Sequence, residues 1–236
     1  MSDGSPPIKR LPIVVLISGN GSNLQAIIDA AYNPAGSQDN PSLPVDIKLV
    51  VSSKRNAYGL ERAQRAGIKT ALLEDSDYES REDYDRALQL LIDEQQPELV
   101  VLAGFMRILS EGFVNHYQDK LINIHPSLLP KYRGLNTHQR AIDAGEKEHG
   151  ATVHFVTPEL DDGPLVLQAK VPVMPDDTVE SLAKRVLEKE HIIYPLVIQW
   201  IANSRLTVNQ HRLFFNSQPL IHPIQYSPEL SSTADA

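Results

Sequence analysis

The first half of the chain alternates unbroken apolar runs with amphipathic segments. The apolar runs are rich in β-branched residues, which is typical of strands buried on both faces. These predicted strands cover residues 12–17, 46–52, 69–73 and 98–103. Helices are predicted from about residue 22, over 58–66 and over 81–95, where apolar residues recur at helical spacing. Because strands alternate with helices, we expect right-handed crossovers and a parallel sheet.

The pattern changes in the second half. A short strand is predicted over residues 120–124 and a helix over 137–144, and two alternating segments, 151–156 and 164–173, favour antiparallel strands. A long helix follows over 178–202, and Pro195 inside it is expected to kink it. The proline-bearing segment 33–45 is interpreted as a surface loop.

We therefore expect an α/β protein with a Rossmann-like, mostly parallel twisted sheet and helices on both faces. Antiparallel strands would be added in the C-terminal half. One domain is expected over residues 11–214, with one half at 11–119 and another at 120–214. The polar ends, 1–10 and 215–236, are expected to be flexible.

The amino-acid composition excludes several classes of function. The chain has 236 residues, a net charge of −8 and no cysteine. The acidic balance disfavours binding to nucleic acid or anionic membranes, and the lack of cysteine excludes disulfides, thiol catalysis and zinc–thiolate sites. No segment is long enough for a membrane span or the apolar region of a signal peptide. We therefore expect a cytoplasmic protein that acts on small molecules.

A glycine loop, Gly19-Asn20-Gly21-Ser22-Asn23, joins the first strand to the first helix. Such a loop lets backbone N–H groups converge at a helix N-terminus, which favours an anion, with phosphate the best candidate. Leu24 stands where a dinucleotide fingerprint would have its third glycine, which counts against a nicotinamide-dependent oxidoreductase. A plain turn between strand and helix is the alternative.

Asn123 and His125 lie two residues apart on a predicted strand, so their side chains face the same side. An amide can donate to a developing oxyanion, and an imidazole can act as acid or base near neutral pH. Pro126 and Pro130 stiffen the turn that follows. A hydrogen-bonded pair at a strand end, without function, is the alternative.

Two further segments add candidate chemistry. The acidic turn at 159–164 is either a solvated loop or the source of a carboxylate that orients His125. Residues 104–109 follow a predicted parallel strand, where ligands of α/β sheets bind, although they could simply pack. Four other histidines fit no zinc motif, so we expect no metal and assign them structural or surface positions: His138, His149, His154 and His191.

With these residues assembled, the chain resembles the phosphoribosylglycinamide formyltransferases, a family of folate-dependent enzymes of purine biosynthesis. The matching segments are 14–30, 102–110, 121–132, 148–164 and 190–200. The words NIHPSLLP, at 123–130, are shared with related folate formyltransferases, and ISGNGSNLQ, at 17–25, narrows the match to this family.

The resemblance implies transfer of a formyl group from 10-formyltetrahydrofolate to the amine of glycinamide ribonucleotide, without a metal. It implies a tetrahedral intermediate stabilised by Asn123 and protonated His125, with the Asp161 carboxylate favouring that protonated form. The implied ribotide site comprises Gly21, Ser22, Asn23, Leu187, Glu188, Lys189 and Glu190. The implied folate site comprises Arg81, Met106, Arg107, Ile108, Leu109, Asn123, Thr157, Pro158, Glu159, Leu160 and Asp161. The peptide before Pro130 is expected to be cis.

Some positions depart from the family pattern. Asp162 replaces an expected glycine, so the carboxylate could belong to Asp161 or Asp162, and Lys120 replaces an expected arginine. Rival functions are methionyl-tRNA formyltransferase and formyltetrahydrofolate deformylase, but at this length we expect neither of their additional domains. A ribotide-binding regulatory module without turnover is a further alternative. The protein is expected to be a monomer or a homodimer.

Overall fold

The structure is a computed structural model that describes residues 9–32 and 43–232. Its main feature is an eight-stranded sheet with the strand order β11-β7-β6-β5-β4-β1-β2-β3. These strands are β1 (Leu11–Ile17), β2 (Val45–Ser52), β3 (Thr70–Leu72), β4 (Leu99–Leu102), β5 (Leu121–His125), β6 (Glu148–Phe155), β7 (Leu165–Pro172) and β11 (Ile224–Gln225). The five neighbouring strands β3, β2, β1, β4 and β5 run parallel. Strand β6 is antiparallel to both of its neighbours, β5 and β7. The predicted mixed α/β sheet is confirmed.

Helices cover both faces of this sheet. They are α1 (Ser22–Tyr32), α2 (Tyr58–Arg65), α3 (Arg81–Asp93), α4 (Glu111–His116), α5 (Thr137–Asp143), α6 (Val179–Ala202) and α7 (Glu229–Ser232). Alternate residues of β1 point to opposite faces. Ile13, Val15 and Ile17 pack in one core with apolar residues of α1, α2 and α6. Val14 and Leu16 pack in a second core with residues of α3 and α4.

The long helix α6 begins with a capping box, in which Thr178 and Ser181 each accept a backbone hydrogen bond from the other. This arrangement satisfies N–H groups that have no partner inside the helix. The helix continues through Pro195 to Ala202. The buried hydroxyl of Tyr194 lies 2.8 Å from the Leu102 carbonyl, which ties the helix to the end of β4.

Several boundaries differ from the sequence prediction. Strand β6 begins at Glu148, three residues before the predicted 151, and α4 was not predicted. The predicted loop 33–45 lies mostly outside the described residues, but Leu43 and Val45 are buried in the core and Val45 begins β2. Of the predicted flexible segment 1–10, only residues 9 and 10 are described.

The prediction of a flexible end from residue 215 is wrong for the residues described. Strands β8 (Leu206–Asn209), β9 (Arg212–Phe215) and β10 (Gln218–Pro219) form a small antiparallel sheet. Strand β11 then pairs with the edge strand β7, where Tyr226 N–H also donates to the Gln168 carbonyl at 2.7 Å. Backbone pairing of this kind orders a segment whose sequence is weakly patterned, because it needs few apolar side chains.

Candidate active site

The loops that follow β1, β4 and β5 meet at one edge of the sheet. These strands are neighbours and run parallel, with Leu16 opposite Leu102 and Leu102 opposite Asn123. From β1 the next strands along the chain, β2 and β3, extend to one side of the sheet, whereas β4 and β5 lie on the other side. Open α/β sheets bind ligands where the strand order reverses in this way. Two hydrogen bonds join the first two loops: Ser18 N–H donates to Gly104 O at 3.0 Å, and Met106 N–H donates to Ser18 Oγ at 2.8 Å.

His125 ends β5 with its side chain 7% exposed. Its Nε2 lies 2.9 Å from the Tyr132 carbonyl, and its Nδ1 lies 3.5 Å from Oδ2 of Asp161. A carbonyl and a carboxylate can only accept, whereas a neutral imidazole carries one N–H. Both ring nitrogens of His125 thus face acceptor oxygens.

Asp161 reaches His125 from a left-handed backbone conformation, with φ of 51°. Its Oδ2 also accepts a hydrogen bond from Gly134 N–H at 2.8 Å, and its side chain is 8% exposed. The neighbouring Asp162 points elsewhere: its carboxylate pairs with Arg133 and is 46% exposed. The structure thus places Asp161, rather than Asp162, against the imidazole.

Asn123 stands directly opposite His154 in the antiparallel pairing of β5 and β6. Its Nδ2 lies 3.3 Å from Nε2 of His154, whose Nδ1 lies 2.9 Å from the Phe155 carbonyl. Burial lowers the pKa of His154, which favours the neutral ring. The Nδ1–H then donates to the carbonyl and Nε2 accepts from the amide, so one Asn123 N–H is fixed and the second is left for a ligand.

The sequence analysis assigned His154 no part in the site. The residue is 2% exposed, and its Nε2 also lies 3.8 Å from Oδ1 of Asp161. It therefore touches two of the three predicted catalytic residues. The signal in the sequence is its place on a predicted antiparallel strand, but the pairing register that sets it opposite Asn123 cannot be read from spacing alone.

The segment that carries the Tyr132 carbonyl is anchored by the turn after β5 and by the segment after α5. The Leu129–Pro130 peptide is cis, as the resemblance implies, and Ser127 Oγ donates to the Lys131 carbonyl at 2.7 Å. Glu146 accepts from Lys131 Nζ at 2.7 Å and from the Tyr132 hydroxyl at 2.8 Å. These contacts hold the carbonyl that faces His125, and Glu146 was also missed by the sequence analysis.

The glycine loop lies against α1, α2 and α6. Gly21 has φ of 72°, and a Cβ placed on it would lie 2.6 Å from Cα of Gly59 at the start of α2, so only glycine fits. Asn23 Nδ2 donates to Oε2 of Glu190 at 2.6 Å, and burial raises the pKa of that carboxyl. Of the remaining predicted ribotide residues, Ser22 begins α1 and is half-buried, and the other three lie on the preceding turn of α6. Leu187 is half-buried and Glu188 is exposed, whereas Lys189 Nζ lies 5.6 Å from the ring centre of Tyr226.

The predicted folate residues of the β4 loop and the acidic turn include several exposed apolar side chains. Met106 is 72% exposed, Ile108 62% and Leu160 53%, and Pro158 is exposed as well, while Leu109 is half-buried. Exposed apolar groups beside a polar site are typical of ligand-binding surfaces.

Polar contacts hold other predicted folate residues. The Arg107 guanidinium lies 4.0 Å from the ring centre of Tyr84 and 2.7 Å from the carboxylate of Asp75. Thr157 Oγ1 donates to the carbonyl of Glu159 at 3.3 Å. Arg81 begins α3 and lies 3.7 Å from Glu82, and within the described residues no hydrogen bond or ion pair joins it to the other predicted folate residues.

Residues 9–32 and 43–232 contain no group of three His, Asp or Glu side chains arranged to hold a metal ion. Over the same ranges, none of the helices has both the length and the apolar character that crossing a bilayer requires.

The fold and the site define an α/β protein with a glycine loop and an Asn–His–Asp group, its imidazole and carboxylate buried, at the carboxyl edge of a mostly parallel sheet. The sequence profile of the formyl transferase family matches residues 11–198, and the chain belongs to that family. The resemblance found in the sequence is thereby confirmed.

Relatives of known name agree with this membership. Phosphoribosylglycinamide formyltransferase of Escherichia coli K12 is 54% identical over 208 residues, which cover 88% of this chain and 95% of that protein. The human trifunctional purine biosynthetic protein adenosine-3 is 43% identical over 203 residues, which cover 86% of this chain and 19% of that protein.

Solved structures are similar as well. The phosphoribosylglycinamide formyltransferase of Coxiella burnetii superposes with a TM-score of 0.83 at 50% identity, covering 91% of this chain and 99% of that one. Glycinamide ribonucleotide transformylase 1 of Symbiobacterium toebii gives a TM-score of 0.81 at 40% identity, with the same coverage of each chain.

Proposed function

We propose that this protein transfers the formyl group of 10-formyltetrahydrofolate to the primary amine of glycinamide ribonucleotide. The products are formylglycinamide ribonucleotide and tetrahydrofolate, in the purine biosynthesis that the names of its relatives describe. The observation that carries the proposal is the buried imidazole of His125, set between a carboxylate and a carbonyl beside the Asn123 amide. Family membership supplies the substrate class.

The reaction begins when the neutral amine attacks the formyl carbon and forms a new C–N bond. The carbonyl oxygen becomes an oxyanion on a tetrahedral carbon, and donors aimed at that oxygen lower the barrier. The second N–H of Asn123 is the donor, and protonated His125 beside it stabilises the oxyanion through its positive charge. The carboxylate of Asp161 stabilises the positive charge of the imidazolium through its proximity.

Collapse of the intermediate breaks the bond between the formyl carbon and the folate nitrogen. That nitrogen leaves with the electron pair and takes up a proton, while the former amine loses one. His125 or an ordered water carries this proton. The step needs neither a covalent enzyme intermediate nor a metal ion.

The ribotide would lie along the glycine loop, with its phosphate on the backbone of Gly21, Ser22 and Asn23 and its polar body near Glu190 of α6. The folate would lie against the β4 loop at 106–109 and the turn at 157–161, with Arg81 at the outer end. Both ligands are small molecules. A cytoplasmic location and a monomer or homodimer complete the proposal.

The experiment that tests this function follows an isotope-labelled formyl group. Purified protein is mixed with labelled 10-formyltetrahydrofolate and the ribotide, and NMR locates the label. Appearance of the label in an amide of the ribotide is the expected result. Label in free formate would instead indicate a deformylase, and label that stays on the folate would indicate binding without turnover. Either of these results would contradict the proposal.

A further inference from the structure

The carbonyl groups of Gly19, Asn20 and Gly21 in the glycine loop each accept a hydrogen bond from the chain. Gly19 O accepts a hydrogen bond from Gly59 N–H at 3.1 Å, and Gly21 O accepts from Gln25 N–H at 2.9 Å. The carbonyl between them, Asn20 O, accepts from Nε of Arg62 at 2.8 Å. Two of the three partners are backbone groups at the starts of α1 and α2, and the third is one arginine side chain.

Arg62 makes two further hydrogen bonds with the same guanidinium. Its Nη2 donates to Oδ1 of Asn20 at 3.0 Å, and its Nη1 donates to Oε1 of Gln25 at 3.2 Å. The planar fork of a guanidinium can hold several acceptors in fixed relative positions, which an ammonium cannot do. Arg62 therefore fixes both the main chain and the side chain of Asn20 and ties them to the first turn of α1.

The other side of the loop carries its donors. Within the described ranges, no backbone N–H of residues 19–23 donates a hydrogen bond to the chain. The first N–H groups of a helix have no partner inside it. Since a peptide plane carries its C=O and N–H on opposite sides, a carbonyl held inward directs the adjacent N–H outward. Rotation of the Asn20 peptide would turn the Gly21 N–H away from an anion.

We infer that Arg62 is a positioning residue for the phosphate of the ribotide, an inference that rests on the proposed function. Its guanidinium is held against the loop, because three of its five N–H groups donate to Asn20 and Gln25. It acts by holding the Asn20 peptide so that the loop presents its N–H groups outward. The contact is made from α2, which no motif in the sequence links to the loop.

The chain offers a matched control in Arg65, on the same helix. Arg65 is exposed and donates to the Tyr58 hydroxyl at 2.7 Å and to Glu61 at 3.0 Å, away from the loop. Replacing Arg62 or Arg65 by methionine removes the same charge from the same helix. The pair therefore separates the loop contact from any general effect of charge or helix stability.

The test compares Arg62→Met, Arg62→Lys and Arg65→Met with the unaltered protein in steady-state turnover and in calorimetric binding of the ribotide. For Arg62→Met, the loss of hydrogen bonds to a charged donor is expected to raise the ribotide KM and Kd by about tenfold or more. Its kcat and folate KM are expected to stay within about threefold, because phosphate binding is largely uniform between ground and transition states. Arg65→Met is expected to match the unaltered protein.

The lysine variant distinguishes positioning from charge. If Arg62 acts through the geometry of its fork, Arg62→Lys stays close to Arg62→Met in ribotide KM. A lysine variant with the unaltered KM would show that the positive charge alone matters and would overturn the inference. Circular dichroism melting checks that the variants fold. Should Arg62→Met not fold, Asn20→Ala, which removes the Oδ1 acceptor, is expected to raise the ribotide KM by about threefold, and an unchanged value would overturn the inference.

Turnover by the unaltered protein distinguishes a failure of the role of Arg62 from a failure of the proposed function. If it turns over the ribotide and Arg62→Met has the same ribotide KM as Arg65→Met, the role of Arg62 is wrong while the proposed function stands. If the unaltered protein shows no turnover that depends on the ribotide, the proposed function is wrong and the role of Arg62 falls with it.

Discussion

Nδ1 of His125 lies 3.5 Å from Oδ2 of Asp161, and both side chains are more than nine-tenths buried. The same oxygen of Asp161 is held by the Gly134 N–H, and the opposite ring nitrogen of His125 faces the Tyr132 carbonyl. The pair is therefore fixed from one loop, residues 131–135, which contacts both members. We therefore expect the charge of Asp161 and the geometry of that loop to be two separable requirements for catalysis.

Replacing the buried carboxylate should affect the reaction itself. In Asp161→Asn the imidazolium loses its anionic neighbour, so we expect kcat to fall by about 10²-fold or more, the size typical of acid–base and oxyanion groups. Asp162→Asn is the matched control, since that carboxylate is exposed and pairs with Arg133. Steady-state turnover checks both variants. Equal losses in the two would contradict the assignment of Asp161.

The amide of Asn123 should act through an orientation that His154 sets. Asn123→Ala is expected to lower kcat by about 10²–10³-fold, and His154→Phe, which frees the amide to rotate, by about tenfold. A double-mutant cycle tests the link, because coupled residues give non-additive effects. His154→Phe should cost little further once Asn123 is alanine. Full additivity of the two losses would contradict a role for His154 in orienting Asn123.

The contacts of Glu146 with the loop 131–135 should affect kcat more than substrate binding. Glu146 holds Lys131 and the Tyr132 hydroxyl, so Glu146→Ala is expected to lower kcat by about tenfold through displacement of the Tyr132 carbonyl. Glu148→Ala provides the comparison, because Glu148 is exposed and pairs with Lys170 on neighbouring strands. Similar rates for the two variants would count against the anchor.

Stability should fall with acid because of His149, which is 1% exposed. Burial lowers the pKa of His149 to about 4, and the neighbouring His138 acts in the same direction. Between that value and the ordinary 6.5 the unfolded chain binds the proton and the folded one does not, so stability drops as pH falls through this window.

The expected loss of unfolding free energy from this residue is about 2 kcal/mol between pH 7 and pH 5. Urea unfolding at the two pH values measures it. In His149→Gln the difference between the two pH values should be smaller by about that amount, whereas an unchanged difference would show that His149 is not responsible.

Much of the fold could be predicted because most strands and helices are indicated by the residues of their own segment. The run PIVVLI forms β1, whose residues from Ile13 to Ile17 are fully buried, as an unbroken apolar strand should be. The hairpin of β8 and β9 was missed for an equally local reason. It turns on Gln210 and His211 with φ of 49° and 60°, where glycine or asparagine is the usual signal.

The residues of the site likewise divide into those that the sequence predicted and those that it did not. Asn123 and His125 lie within one short segment and the glycine loop forms another, so the spacing within each segment could be interpreted directly. The partners of these residues come from distant elements: His154 through the register of β6, and Arg62 through the close approach of α2 to the loop. Contacts of this kind depend on tertiary packing, which a single sequence does not specify.

We propose that the group of Asn123, His125 and Asp161 carries out formyl transfer to the ribotide. The most direct test measures release of tetrahydrofolate from 10-formyltetrahydrofolate, with and without glycinamide ribonucleotide, for the unaltered protein and for His125→Ala. We predict release only when the ribotide is present, and a rate at least about 10²-fold lower for His125→Ala. Release without the ribotide, or a variant that keeps more than about a tenth of the rate, would contradict the account.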